Sequence, residues 1–240
     1  MPIEVYMDES NVHEDTDFLT VSAAWAEKLV WNLWEEEWLT AIQPLNLFHS
    51  CDVWNRSNDC ADFTRQFRDE LSNRAMSAIL KFAINGRIGE INRRSFEKKF
   101  GNAAITKNLV EHPYYLPLIW TFNRMFEILG KAGAGNVSFF HERNDYESGA
   151  LEYFSIAKKR FDRPNYSLVF VEKTKAVPLQ CADAFAFFGM QRLRNPQHRS
   201  KALEVADGGS QRIQALAISE QQLIELATRL KSQIKTLISL

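Results

Sequence analysis

A chain of 240 residues, 45% hydrophobic and 25% charged, has the composition of an ordinary globular protein and the length of one elaborated domain with a sizeable core. A net charge of −1 excludes binding driven by a basic whole-molecule field. The longest uninterrupted apolar run, Ala184 to Met190, is too short to span a membrane, and no internal repeat or low-complexity stretch occurs.

Ile3, Val5 and Met7 alternate with Glu4, Tyr6 and Asp8, the period of a half-buried strand. The alternation sets Asp8 opposite the apolar stripe, near the strand's C-terminal end, with Glu9 following on the other face, as an exposed turn residue or else an acid backing the site. A strand this close to the N-terminus, carrying Glu4, argues against a secretory signal. Phe18 to Trp25 reads as a second strand, and residues 26–40 as an amphipathic helix with Leu29, Leu33 and Trp34 on its inner side. Leu45 to His49 is a short apolar stretch; a helix opened by Asp59 or Asp62 runs to about Met76, and Ser77 to Ile84 reads as a strand. Tyr114 to Leu129 has aromatic and aliphatic residues at helical spacing, a core-packing stripe. Asn136 to Glu142 reads as a strand, Tyr146 to Arg160 as a helix and Ser167 to Val171 as a strand.

Pro178 to Met190 follows, a segment of helical length that is apolar on nearly every side, with Asp183 its only charge. A buried carboxylate costs several kcal/mol unless protonation, a basic partner or a bound cation compensates it. Gln180, one turn earlier on the same face, adds a second polar group. Residues 1–195 are thus expected to form one α/β domain, a mixed sheet covered by helices. Residues 196–240 would be a polar connection and a C-terminal amphipathic helix, opened by an S-x-x-Q capping box at Ser219 to Gln222. Its seam of Leu223, Leu226, Leu230, Ile234 and Leu237 either docks on the domain or pairs with a second copy as a homodimer.

Tyr6-Met7-Asp8-Glu9-Ser10 and Leu179-Gln180-Cys181-Ala182-Asp183 together resemble the Y-x-D-E-S-G and L-Q-x-A-D motifs of a large bacterial family labelled domain of unknown function thirty-eight hundred. Phe48-His49-Ser50 matches a histidine that follows an apolar segment in that family, and the resemblance spans roughly residues 3–190. Asn11 stands where the family usually has Gly, and Asn tolerates the left-handed backbone that Gly would supply. The resemblance implies a ribonuclease-H-like fold and a metal-dependent phosphodiesterase, and loosely a place in a bacterial defence or toxin system.

Two-metal phosphoryl hydrolysis needs carboxylates that converge from separate elements, and magnesium or manganese suits an all-oxygen set. Asp8 and Asp183 are two expected ligands. Glu142, at a strand end, is the third, with Asp145 in the loop beyond it as the alternative. His49 is a candidate for orienting water or moving a proton. His141 points to the opposite face from Glu142 and is left out, while Lys175 is placed to meet a phosphate or a carboxylate. The basic groups Arg87, Arg93-Arg94, Lys98-Lys99, Lys158-Lys159-Arg160, Arg163, Arg192, Arg194, Arg199 and Lys201 suit either phosphates or solvated helix faces. No nucleotide-binding glycine loop, zinc motif or nucleophile elbow occurs. Three cysteines without metal-ligand spacing read as reduced thiols in a cytoplasm. The leading expectation is a cytoplasmic nuclease or other phosphodiester hydrolase acting on nucleic acid. The alternative is a non-catalytic nucleic-acid- or protein-binding module with a degenerate acidic site.

Overall fold

The computed structural model describes residues 1–10, 17–82, 84–94, 96, 112–194 and 213–217. Strands β1 (Ile3–Ser10), β2 (Phe18–Glu27) and β3 (Asn85–Asn92) form an antiparallel meander. Strands β4 (Val137–Glu142) and β5 (Tyr166–Val171) continue from β1 in parallel, and β6 (Ile213–Ala217) pairs in parallel with β3. The sheet order is β5-β4-β1-β2-β3-β6, a mixed α/β sheet flanked by helices, as expected.

Helices α1 (Lys28–Ala41), α2 (Ser50–Asn55), α3 (Arg65–Lys81) and α6 (Leu179–Arg194) belong to one face of the sheet. Helices α4 (Tyr115–Lys131) and α5 (Glu147–Arg160) cover the other. With both faces covered, β1 is not half-buried. Val5 and Met7 pack toward α4 while Tyr6 and Asp8 are buried toward α6. A strand buried on two sides can hold a carboxylate dry at its end, and Asp8 is 2% exposed.

Helix α6 lies against the sheet through small residues. Ser22 Oγ donates to the Ala182 carbonyl at 2.6 Å and Thr20 Oγ1 donates to the Ala186 carbonyl at 2.9 Å. A Cβ at Gly189 would sit 2.7 Å from Ile88 Cγ2 and 2.8 Å from Glu90 Oε1. Gly189→Val should therefore lower stability by about 1–3 kcal/mol through overpacking. Gly135→Ala, at a position with nothing within 4 Å of the added carbon, should leave the melting temperature nearly unchanged. Equal shifts in the two variants would disprove this account of the helix–sheet contact.

Several local expectations are corrected. In α1, Trp31, Trp34 and Trp38 are the buried side, whereas Leu29 and Leu33 are exposed. The tryptophans sit at helical spacing and form a chain of ring contacts from Trp31 through Trp34 to Trp38. Ser77 to Lys81 is not strand but the last part of α3, whose Thr64 side chain caps the N-terminus by accepting from Phe67 N–H. Its buried Leu71, Ala75, Ala78 and Ile79 keep helical spacing through that run. Strand β6 was not expected, and the expected connection at residues 196–212 and C-terminal helix, with its dimer seam, lie outside the described residues.

Candidate active site

Asp8 ends the buried part of β1, Glu142 ends the parallel neighbour β4, and Asp183 lies in the first turns of α6, which packs on β1 and β2. All three converge on Lys173, in the 3-10 turn Lys173–Lys175 between β5 and α6. Its Nζ is 2.9 Å from Asp8 Oδ2, 2.9 Å from Glu142 Oε2 and 3.0 Å from Asp183 Oδ1. No two of those oxygens can be farther apart than twice 3.0 Å. Asp183 is thus compensated by a lysine shared with two other acids, a partner that the sequence reading missed. Lys175, the lysine it singled out, is exposed.

The segment after residue 45 is fastened to α6 by two side chains one helical turn apart. Gln180 Oε1 accepts from Phe48 N–H at 2.8 Å and from Trp38 Nε1–H at 3.0 Å. Asp183 Oδ2 accepts from Ser50 N–H at 2.7 Å. His49, between those two anchors, has Nε2 3.5 Å from Asp183 Oδ1 and Nδ1 3.1 Å from Asp52 Oδ2. Ser57 and Asn58 donate to the other oxygen of Asp52, which steadies the ring's support. The His49 and Glu142 side chains are 42% and 26% exposed, so the cluster meets solvent on their side and is closed by Asp8 and Asp183 behind. Asp145, the alternative third ligand, is exposed in the turn before α5 and does not join the three acids around Lys173.

The electrostatics divide the two end carboxyls. Burial pushes the Asp8 carboxyl well above its ordinary range; Lys173 opposes this, while the like charges of Glu142 and Asp183 add to it. Burial also acts on Asp183, but Lys173, His49 and the Ser50 N–H together outweigh it and hold that carboxyl below its usual value. Lys173 is held in the charged form by the acids around it, despite its burial.

A second polar chain backs the first. Glu9 is not an exposed turn residue: its side chain is 12% exposed and Oε1 accepts from Asn144 Nδ2 at 2.8 Å. Tyr114 Oη is 2.9 Å from His141 Nε2, and His141 Nδ1 is 2.7 Å from the Glu142 carbonyl, to which it donates. Burial pushes His141 down to about 4, so the neutral ring serves as a structural link on the face opposite the acids. Burial also pushes Glu9 up to about 7, with Glu142 adding and Asn144 opposing. Unfolding then releases a proton between the ordinary glutamate value and about 7, so this residue's contribution lowers stability as pH rises through that window. Glu9→Gln keeps an acceptor for Asn144 and removes the charge. It should raise stability at pH 8 by about 1–3 kcal/mol relative to its effect at pH 4.5. A difference in unfolding free energy that does not change across that range would refute the assignment.

The donor set fits a hard divalent cation. Three carboxylates from separate elements already surround one positive charge, and Glu9 Oε2 is buried nearby without a hydrogen-bond partner. As arranged, the oxygens stand at ammonium distance, and no group of three acidic, histidine or cysteine side chains among the described residues is spaced to hold an ion directly. The basic groups are less well placed. Helix α5 starts beside the end of β4 and runs back, so Lys158, Lys159 and Arg160 in its last turn lie at the opposite end of the sheet. Arg87 stacks over Trp25, and Arg94 pairs with Asp17. The side chains of Arg192 and Arg194, and all of Lys98, Lys99, Arg199 and Lys201, lie outside the described residues.

No family model matches the sequence, and no curated protein matches it. Among solved structures the chain is similar to one in the PCNA:RNase HII complex from Archaeoglobus fulgidus, with a TM-score of 0.45 and 10% identity over 96% of this chain and 89% of that one. At that level no residue of the neighbour is carried over. No described helix is long and apolar enough to cross a membrane.

Proposed function

We propose that the chain is a magnesium- or manganese-dependent nuclease or phosphodiesterase, a hydrolase of phosphodiester bonds in nucleic acid. The observation that carries this reading is the convergence of Asp8, Glu142 and Asp183 on one cation at a partly open end of the sheet. A bound divalent ion supplies charge neutralisation at the phosphate and an activated water. The chain's own part is positional. Glu9 N–H holds Asp8 Oδ1 at 2.7 Å, Ser50 N–H holds Asp183, and Asp52 holds His49 Nδ1, which leaves Nε2, 3.5 Å from Asp183 Oδ1, as the nitrogen to move a proton at the open side. The sequence motifs support membership of the bacterial family named above, and the free thiols of Cys51, Cys60 and Cys181 support a cytoplasmic setting.

Cleavage of single- and double-stranded DNA and RNA, with Mg²⁺ or Mn²⁺ and with a chelator, tests the reading. His49→Ala should slow metal-dependent cleavage by about 10²–10⁴-fold without a matching loss of folded protein. A stability loss with unchanged rate per folded molecule would make His49 structural. Lys173 favours a second reading, a binding module whose acidic centre is a structural lock, because three ion pairs already fill that centre. Tight, metal-independent binding of a nucleic acid without cleavage would decide for the module.

A further inference from the structure

The Lys173 ammonium has three N–H donors, and one carboxylate oxygen from each of three elements stands at 2.9–3.0 Å from its nitrogen. The lysine's side chain is 8% exposed, so the charge is kept from water rather than displayed to it. Three acids against one ammonium leave the centre with an excess of negative charge that a dication would compensate more fully. A magnesium ion binds oxygens at about 2.0–2.1 Å and needs the space where the nitrogen now sits. The lysine rides on a short turn, Lys173–Lys175, between β5 and α6 rather than on either element, and its four-carbon stem is flexible.

We propose that Lys173 is a tethered cation occupying the place a divalent ion takes, so that ammonium and ion compete for the same oxygens of Asp8, Glu142 and Asp183. The inference rests on the metal-dependent reading above and adds a built-in competitor to it. Tethering keeps the ammonium at high local concentration, and the apparent metal affinity is reduced by the fraction of molecules in which the lysine is in.

The test is Mn²⁺ binding to the wild type and to Lys173→Met, followed by the electron spin resonance of free Mn²⁺. If the lysine-in state dominates, the variant should bind at least about tenfold more tightly. Tight binding by the variant and none by the wild type would support the competitor and refute metal dependence in the native protein. Equal binding, or weaker binding by the variant, would overturn the competitor while leaving the metal site standing. No binding by either would overturn both. Should the variant not fold, reductive methylation of the wild type keeps the proposal open to refutation. Lys173 should be protected without metal and react several-fold faster when Mg²⁺ is added, with exposed Lys131 as the unchanged reference. Protection unaffected by saturating Mg²⁺ would overturn it.

Discussion

Asp8→Asn should abolish metal-dependent cleavage while leaving the protein as stable as before, or more so. The substitution hardly changes volume, and the amide oxygen can still accept from Glu9 N–H, as Asp8 Oδ1 does at 2.7 Å. It removes the charge that a divalent ion needs. The expected rate loss exceeds about 100-fold, the upper end of what removing a mere outer-shell partner costs. The stability expectation comes from the raised carboxyl of Asp8, whose ionised form is disfavoured by burial and by its acidic neighbours. A group raised in the folded state loses stability as pH climbs from its ordinary value toward the folded one. Asn does not ionise, so the variant should gain on the wild type with rising pH in that range. Undiminished cleavage would place the activity elsewhere, and a large fall in melting temperature would mean that the Asp8–Lys173 pair is needed to hold the sheet end together.

The periodic parts of the fold were legible because each has one dominant pattern. The alternation in β1, the apolar seam of α4 and the run of β4 set strand, helix and strand before any tertiary contact is considered. Where two patterns coexist, packing decides. In α1 both Leu29/Leu33 and Trp31/Trp34/Trp38 make apolar stripes, and the larger aromatic surface is buried. Ser77 to Ile84 is a short apolar run that period alone assigns to neither helix nor strand, and the continuity of its first part, Ser77 to Lys81, with Leu71 and Ala75 carries that part into α3. Strand β6 is five residues long, and its partner β3 is more than a hundred residues away in the chain. Nothing local announces such a pairing.

The acids of the site were legible for a different reason: a charge within an apolar segment demands compensation, and Asp183 shows that demand in the sequence. Glu142 over Asp145 followed from strand alternation and its end position, and the structure brings Glu142, not Asp145, to the cluster. Lys173 was hidden because Lys173 and Lys175 flank one threonine in a polar turn, and only the path of the 3-10 turn decides which points inward. For Glu9 the sequence left two readings, an exposed turn or an acid backing the site, because a strand-end acid looks the same whether or not a later asparagine, Asn144, folds back to meet it. One signal was available: a segment holding a buried acid calls for a nearby base, and Lys173 lies ten residues before Asp183.

Lys173→Met should lower stability by about 3–5 kcal/mol near neutral pH, the range found when one partner of a buried ion pair is removed. Methionine keeps the length and flexibility of the stem and removes the charge, leaving Asp183 and Glu142 facing Asp8 without their shared cation. The pH dependence separates this from simple packing loss. In the wild type, Asp183 is held below its ordinary value, so it contributes stability above that value and loses it as pH falls through the depressed one. Without the lysine the same carboxyl is buried among acids, so its value should rise and its ionisation should oppose folding. The gap between variant and wild type should then be widest at pH 7–8 and narrow as pH falls toward the ordinary carboxylate range. Combining Lys173→Met with Asp8→Asn and Asp183→Asn should recover most of the loss, since residues sharing one network couple strongly. Urea denaturation across that pH range measures all of this. A gap that stays constant with pH, or a combined variant no more stable than Lys173→Met alone, would mean that Lys173 contributes through its stem rather than through its charge.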